Sequence, residues 1–329
     1  MAKRSRIPVK PLAIALAIAA SAGALALGQS AGRNALTRVA EDSLIVSNES
    51  DVNAELPTLT NIHAVTASNN YAAPVWCPDT SRNMLAFVSP GGTYILASQD
   101  SKPRLLSPTR ADFGFLFTND CQSLVFESSS SESGWTIKAI AIATGHVTTL
   151  ALATESAPQD LGNGMLGYLA NGEMSTTRVA MDGPLTHAVP YAYQRDDNIF
   201  AVSGRTTSQI TNNDGKYFLP RVSPDGSRLL YQEISRGLFI YDFSSGRVSA
   251  LGRGDDASWS PDSRFVVFER TKDDGHAILS SSLYVADLEG HVGQLTNEPD
   301  RLDMRPTWSP DGRYLAFDAN GAIYLASIR

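Results

Sequence analysis

The sequence predicts an all-β protein, a β-propeller of four-stranded antiparallel blades, with six blades the preferred count and seven the alternative. Three observations predict it. A Ser-Pro-Asp-Gly type of turn recurs along the chain, its Asp residues fall at 79, 120, 225, 262 and 311, and apolar strands follow each copy. Adjacent gaps of 41, 37 and 49 residues lie near the roughly 40–50-residue period of propeller repeats.

Taken in chain order, the first 28 residues read as an address. Lys3, Arg4, Arg6 and Lys10 precede a charge-free apolar run from Pro11 to Gly28, the layout of a secretory signal. Ala24-Leu25-Ala26 supplies small residues for cleavage after Ala26. The rival is an uncleaved anchor through residues 11–28, whose 18 residues sit at the short end of a membrane span. Either way the body is exported, periplasmic or extracellular. Residues 29–71 form a polar linker with two strand-like runs, 43–47 and 58–66, and the propeller is expected over 72–329.

Five copies of the repeat carry the fold. They are VWCPDTSRNMLAFV from Val75, LFTNDCQSLVFE from Leu116, RVSPDGSRLLYQ from Arg221, SWSPDSRFVVFE from Ser258 and TWSPDGRYLAFD from Thr307. Ser-Pro-Asp-Gly suits a type I turn: Pro presets φ at the second position and Gly closes the fourth. In four copies an aromatic follows the Asp by six residues, and the Val75 copy keeps the pattern with a two-residue insertion. Third strands follow in GLFIYDF, SSLYVADL and AIYLASI, and Gly-containing turns lead to fourth strands in RVSAL and HVGQLT. Four strands per unit is the content of a blade.

The 105-residue interval between Asp120 and Asp225 holds strand material but no turn motif. One long blade there gives six in all, and two compact ones give seven. At the other end, Arg329 closes the chain after a third strand, so the run 58–66 or 43–47 is expected to dock beside the C-terminal blade and cover its edge. Cys77 and Cys121 could pair, but 44 residues separate them and the reading favours two buried small hydrophobic residues.

At these residues the sequence resembles the propeller of the TolB-like family, from Pro74 to Arg329 and most strongly from Arg221 onward, with Gly-Gln-Leu-Thr-Asn at 293–297 adding to the likeness. The resemblance implies an exported scaffold that binds an envelope or periplasmic protein. It lacks the family's N-terminal α/β domain, for which the residues before the first blade are too few. Similar blades precede hydrolase domains of the prolyl-oligopeptidase type, but the nucleophile elbow G-x-S-x-G is missing.

Charge narrows the partners. The chain carries −7 overall, and beyond the N-terminal basic cluster 23 basic residues face 34 acidic ones, which argues against nucleic acid. A metal-dependent propeller enzyme of lyase or lactonase type would hold an ion at the ring centre. The five histidines show no ligand spacing, and His146 and His291 fall in equivalent Gly-containing turns, so no enzyme, metal or cofactor is expected. A glycan-binding module is the other alternative, with Tyr191 and Tyr193 as aromatic platforms. The segments just before each innermost strand converge on the channel mouth, which nominates Tyr71, Asp112, Phe113, Tyr217, Arg221, Asp255, Asp256, Asp303 and Arg305 as partner-binding residues.

Overall fold

The computed structural model describes residues 56–329 apart from 99–100, 112, 131–133, 153, 155–157, 161–164, 171–172, 179–189, 204–205 and 213. The expected signal or anchor, the run 43–47 and Asp112 lie outside the described residues.

Every regular element among them is a β-strand. β1 (Leu59–Ala64) comes first. Blade 1 is β2 (Ala72–Trp76), β3 (Leu85–Ser89), β4 (Gly92–Leu96) and β5 (Arg104–Ser107). Blade 2 is β6 (Phe113–Phe117), β7 (Ser123–Ser130), β8 (Gly134–Ala141) and β9 (Val147–Leu152). Two three-stranded sheets follow: β10 (Gln159–Asp160), β11 (Met165–Ala170) and β12 (Glu173–Arg178), then β13 (Tyr191–Arg195), β14 (Asn198–Ser203) and β15 (Thr206–Gln209). Blade 5 is β16 (Tyr217–Val222), β17 (Arg228–Glu233), β18 (Gly237–Asp242) and β19 (Val248–Gly252). Blade 6 is β20 (Asp255–Trp259), β21 (Phe265–Asp273), β22 (Ile278–Asp287) and β23 (Val292–Gln294). Blade 7 is β24 (Asp303–Trp308), β25 (Tyr314–Ala319) and β26 (Ala322–Ile328), completed by β1.

The molecule is an all-β propeller of antiparallel blades. Of the two counts the sequence admits, the described residues give seven sheets. The interval from Asp120 to Asp225 holds two compact three-stranded sheets without a Ser-Pro-Asp turn, which is why no blade start shows there. The fourth sheet still carries a blade signature. Tyr193 stacks on Phe200 at 5.5 Å beneath Arg195, as Tyr231 stacks on Phe239 at 5.6 Å beneath Arg236.

Ring closure follows from β1, which pairs antiparallel with β26 from Leu59 opposite Ile328 to Ala64 opposite Tyr324. Amide and carbonyl of Thr58 exchange hydrogen bonds with those of Arg329 at 3.0 Å. The outermost edge of blade 7 is thereby paired, as the run 58–66 was expected to do.

The repeat turns are built alike. The amide of the fourth residue donates to the carbonyl of the first, at 2.8 Å in Gly226 to Ser223 and 2.9 Å in Gly312 to Ser309. These glycines have φ of 73° and 74°, where a side chain is strained. The motif Asp fastens the turn: the hydroxyls of Thr118, Ser223, Ser260 and Ser309 each donate to its carboxylate at 2.6 Å. For Asp225, burial opposes the charge, but the Ser223 hydroxyl and the Ser227 amide outweigh it and hold the carboxyl below its usual value.

Successive turns also touch, and this corrects the cysteine reading. Ser263, fourth in the blade 6 turn, accepts the Asp225 amide of blade 5 at 3.0 Å. Cys121 is likewise fourth in the blade 2 turn and meets Cys77, the first residue of the blade 1 turn, in a disulfide with Cα atoms 5.6 Å apart. The ring brings them together where local sequence does not.

The motif tryptophans sit between blades. Trp259 Nε1 donates to the Arg221 carbonyl at 2.9 Å, and Trp76 Nε1 to the Thr307 carbonyl at 3.3 Å across the closure. Trp308 Nε1 is buried without a partner among the described residues.

Candidate functional channel

The chain enters each four-stranded blade on one face of the ring and turns at Ser-Pro-Asp on the other. The entry face also carries the turns between second and third strands. Five innermost strands bear the same irregularity six residues before the motif Asp. Ala73, Gly114, Leu219, Asp256 and Arg305 have φ of 53°, 57°, 50°, 47° and 50°, each at a register shift between the first two strands. A bulge of this kind re-aims side chains, and its repetition sets a ring of five residues on the wall of the channel.

Opposite that bulge, on the second strand, stands a second ring: Val88, Glu127, Gln232, Glu269 and Asp318. All five are buried. The acids stitch blades together. Glu269 accepts the Arg305 amide of the next blade at 2.6 Å, and Asp318 accepts the Ala73 amide across the closure at 3.0 Å. Asp318 also holds the Arg305 guanidinium in a two-point contact at 2.7 and 2.6 Å. Glu127, whose next blade has no repeat turn, takes the Thr154 hydroxyl at 3.2 Å instead.

Burial governs the protonation of this ring. It raises Glu127 to about 7, against which the Thr154 hydrogen bond works. Burial, and after it the Asp256 charge, raises Glu269 well above the carboxylate range. Burial likewise raises Asp318 although Arg305 opposes it, and raises Asp255 against the Gln232 hydrogen bond. For Arg305, burial disfavours the charge but Asp318 outweighs it, so the guanidinium is held more firmly than usual.

The residues nominated from the sequence divide accordingly. Arg221, Asp255, Asp256 and Arg305 come together on the channel wall of blades 5 to 7, and Asp256 acts electrostatically on all three others. Tyr71 and Tyr217 are buried in the blades instead: Tyr71 meets Phe87 and Tyr94 edge-on with ring centres at 5.0 Å, and Tyr217 packs edge-on against Tyr231 and bonds Asp214. Asp303 is fully buried and gripped by Arg301, which lies over the Phe317 and Tyr324 rings. Phe113 is described through its backbone, paired with Glu127, and Asp112 lies outside the described residues.

The alternatives find these positions. Tyr193 is buried under its stack with Phe200, while Tyr191 is half-buried. His146 is exposed in its turn and His291 contacts Asp287 at 2.7 Å. Among the described residues no group of three or more His, Cys, Asp or Glu side chains is placed to hold a metal ion.

Leu219, Glu127, Gln232, Glu269 and Asp318 were missed from the sequence. A signal for four of them was present, since a polar residue directly follows the aromatic in four of the five repeats and would interrupt an ordinary buried strand.

No family model matches the chain. A protein TolB homolog of Chlorobium chlorochromatii (strain CaD3) is 30% identical over 120 residues, 35% of this chain and 26% of that protein. The match thus spans about a quarter of that relative's length. Among solved structures, a protein assigned as TolB from Agrobacterium tumefaciens superposes with a TM-score of 0.50 at 17% identity, covering 82% of this chain and 96% of that one. An oligogalacturonate lyase in complex with manganese gives a TM-score of 0.50 at 14% identity, over 82% and 93% of the two chains. These structural likenesses concern the fold alone. The chain is thus TolB-like in sequence over those 120 residues and in the fold of its propeller.

Proposed function

For this TolB-like propeller we propose a non-enzymatic role: an exported scaffold that takes a segment of an envelope or periplasmic protein into the entry-face mouth of its channel. One observation carries the reading. On a wall where the acids are matched to amides, hydroxyls or Arg305, the Arg221 and Asp256 side chains make no hydrogen bond or ion pair among the described residues. An exposed arginine and its neighbouring aspartate, neither hydrogen-bonded among the described residues, beside an exposed Leu219 suit a binding surface better than a structural one. Export accords with the N-terminal charge and apolar pattern and with the Cys77–Cys121 disulfide, which oxidising compartments sustain.

The test is affinity capture from the native envelope fraction with the wild-type chain and with Leu219→Trp, which plugs the mouth from a residue already 42% exposed. A single captured protein that is lost with Leu219→Trp, at unchanged thermal unfolding, is the expected result. Capture that survives the plug contradicts the channel reading. Arg305 is unsuited to such a test, because its removal would strand buried Asp318.

A further inference from the structure

The two unmatched charges differ in their surroundings. Arg221 opens on a pocket of about 10 Å³, room for one water-sized group, walled by Leu219, Leu230, Leu238 and Ala257 and edged by Gln232. A guanidinium offers five donors in a planar fork that fits a carboxylate at two points. Arg221 is solvent-exposed and no side chain among the described residues accepts from it, so its fork is open to a ligand that brings an acceptor.

We propose that Arg221 reads a carboxylate: the partner segment entering the mouth places an acidic side chain or a free C-terminal carboxylate on its guanidinium, its methylene groups against the apolar wall. The inference rests on the channel reading above. A ligand cation is the less suitable occupant, since Asp318, Glu269 and Asp255 already have donors. Burial also raises these three acids, so the wall is less negative than its formal charge and repels an anion less. Asp256 is the remaining obstacle. It stands close enough to act on Arg221, and it selects for a carboxylate that is seated on the fork rather than loosely near it.

Twelve-residue peptides, selected on the intact chain from randomised display libraries with either terminus free, provide the probe. Each binder is resynthesised as selected, with its Asp and Glu replaced by Asn and Gln, and with an amidated C-terminus. The expected result is at least a tenfold weaker binding when one carboxylate is neutralised, and the form that weakens tells side chain from terminus. Arg221→Gln should erase that difference, and Asp256→Asn should tighten the acidic form several-fold. Binding indifferent to every carboxylate, a preference that persists in Arg221→Gln, or a library that yields no binder overturns the inference. If Leu219→Trp blocks the peptides while Arg221→Gln leaves the preference intact, the carboxylate assignment falls and the channel stands. If Leu219→Trp blocks nothing, the channel reading itself falls.

Discussion

Trp259 and Trp308 occupy the same place in consecutive repeats and differ by one hydrogen bond. Both are 8% exposed, but only the Trp259 indole has a carbonyl to donate to. Replacing each by Phe removes a satisfied donor in one case and an unsatisfied one in the other. Denaturant unfolding should therefore show Trp259→Phe less stable than Trp308→Phe by about 1 kcal/mol. Glu127 makes a second test at this scale. Its folded value near 7 exceeds the ordinary carboxylate value, so the folded state holds the proton more tightly than the unfolded chain. The stability this contributes is complete below about pH 4.5 and is lost as pH rises through 7, by about 3 kcal/mol at most. Glu127→Gln keeps an acceptor for Thr154 and removes the titration. Its stability relative to wild type should climb between pH 4.5 and 7 and level off above, and a difference flat in pH would contradict the burial argument.

Strands and turns were the most legible level of the sequence, because a type I turn followed by an apolar strand is a local signal. The five repeat turns, the third strands and the closing strand all stand where the residues place them. What escaped were relations between turns of neighbouring blades. Nothing near Cys77 announces Cys121; the contact exists because the fourth residue of one turn packs on the turn before it, as Ser263 does on Asp225. The disulfide closes a 44-residue separation, and Cys77→Ser with Cys121→Ser should cost about 2–4 kcal/mol, read by denaturant unfolding with and without reductant. An unchanged midpoint would mean that the ring holds those turns without it. The closing strand offers a contrast with another outermost strand. Leu59 on β1 packs into the blade 6 and 7 core, whereas Leu105 on β5 is 46% exposed. Leu59→Asp should lower the unfolding midpoint markedly, and Leu105→Asp should leave it near wild type.

At the scale of the whole ring, two belts of residues on the first and second strands line the channel, and their members have separate tasks. Glu269 and Asp318 join blades 6, 7 and 1, while Arg221 and Asp256 on blades 5 and 6 have no hydrogen-bonded partner among the described residues. The sequence showed that blade starts converge, but not which nominated residues would be absorbed into packing. Tyr71, Tyr217 and Asp303 went inward because each meets an aromatic or an arginine from its own repeat, the tyrosines across the sheet and Asp303 two residues along the chain. The claim that the remaining charges serve a partner is tested most directly by titrating the captured envelope protein against wild type, Leu219→Trp and Arg221→Gln. Binding lost in the first variant and weakened at least tenfold in the second, with all three unfolding alike, is the outcome predicted. Equal affinity for all three would contradict it.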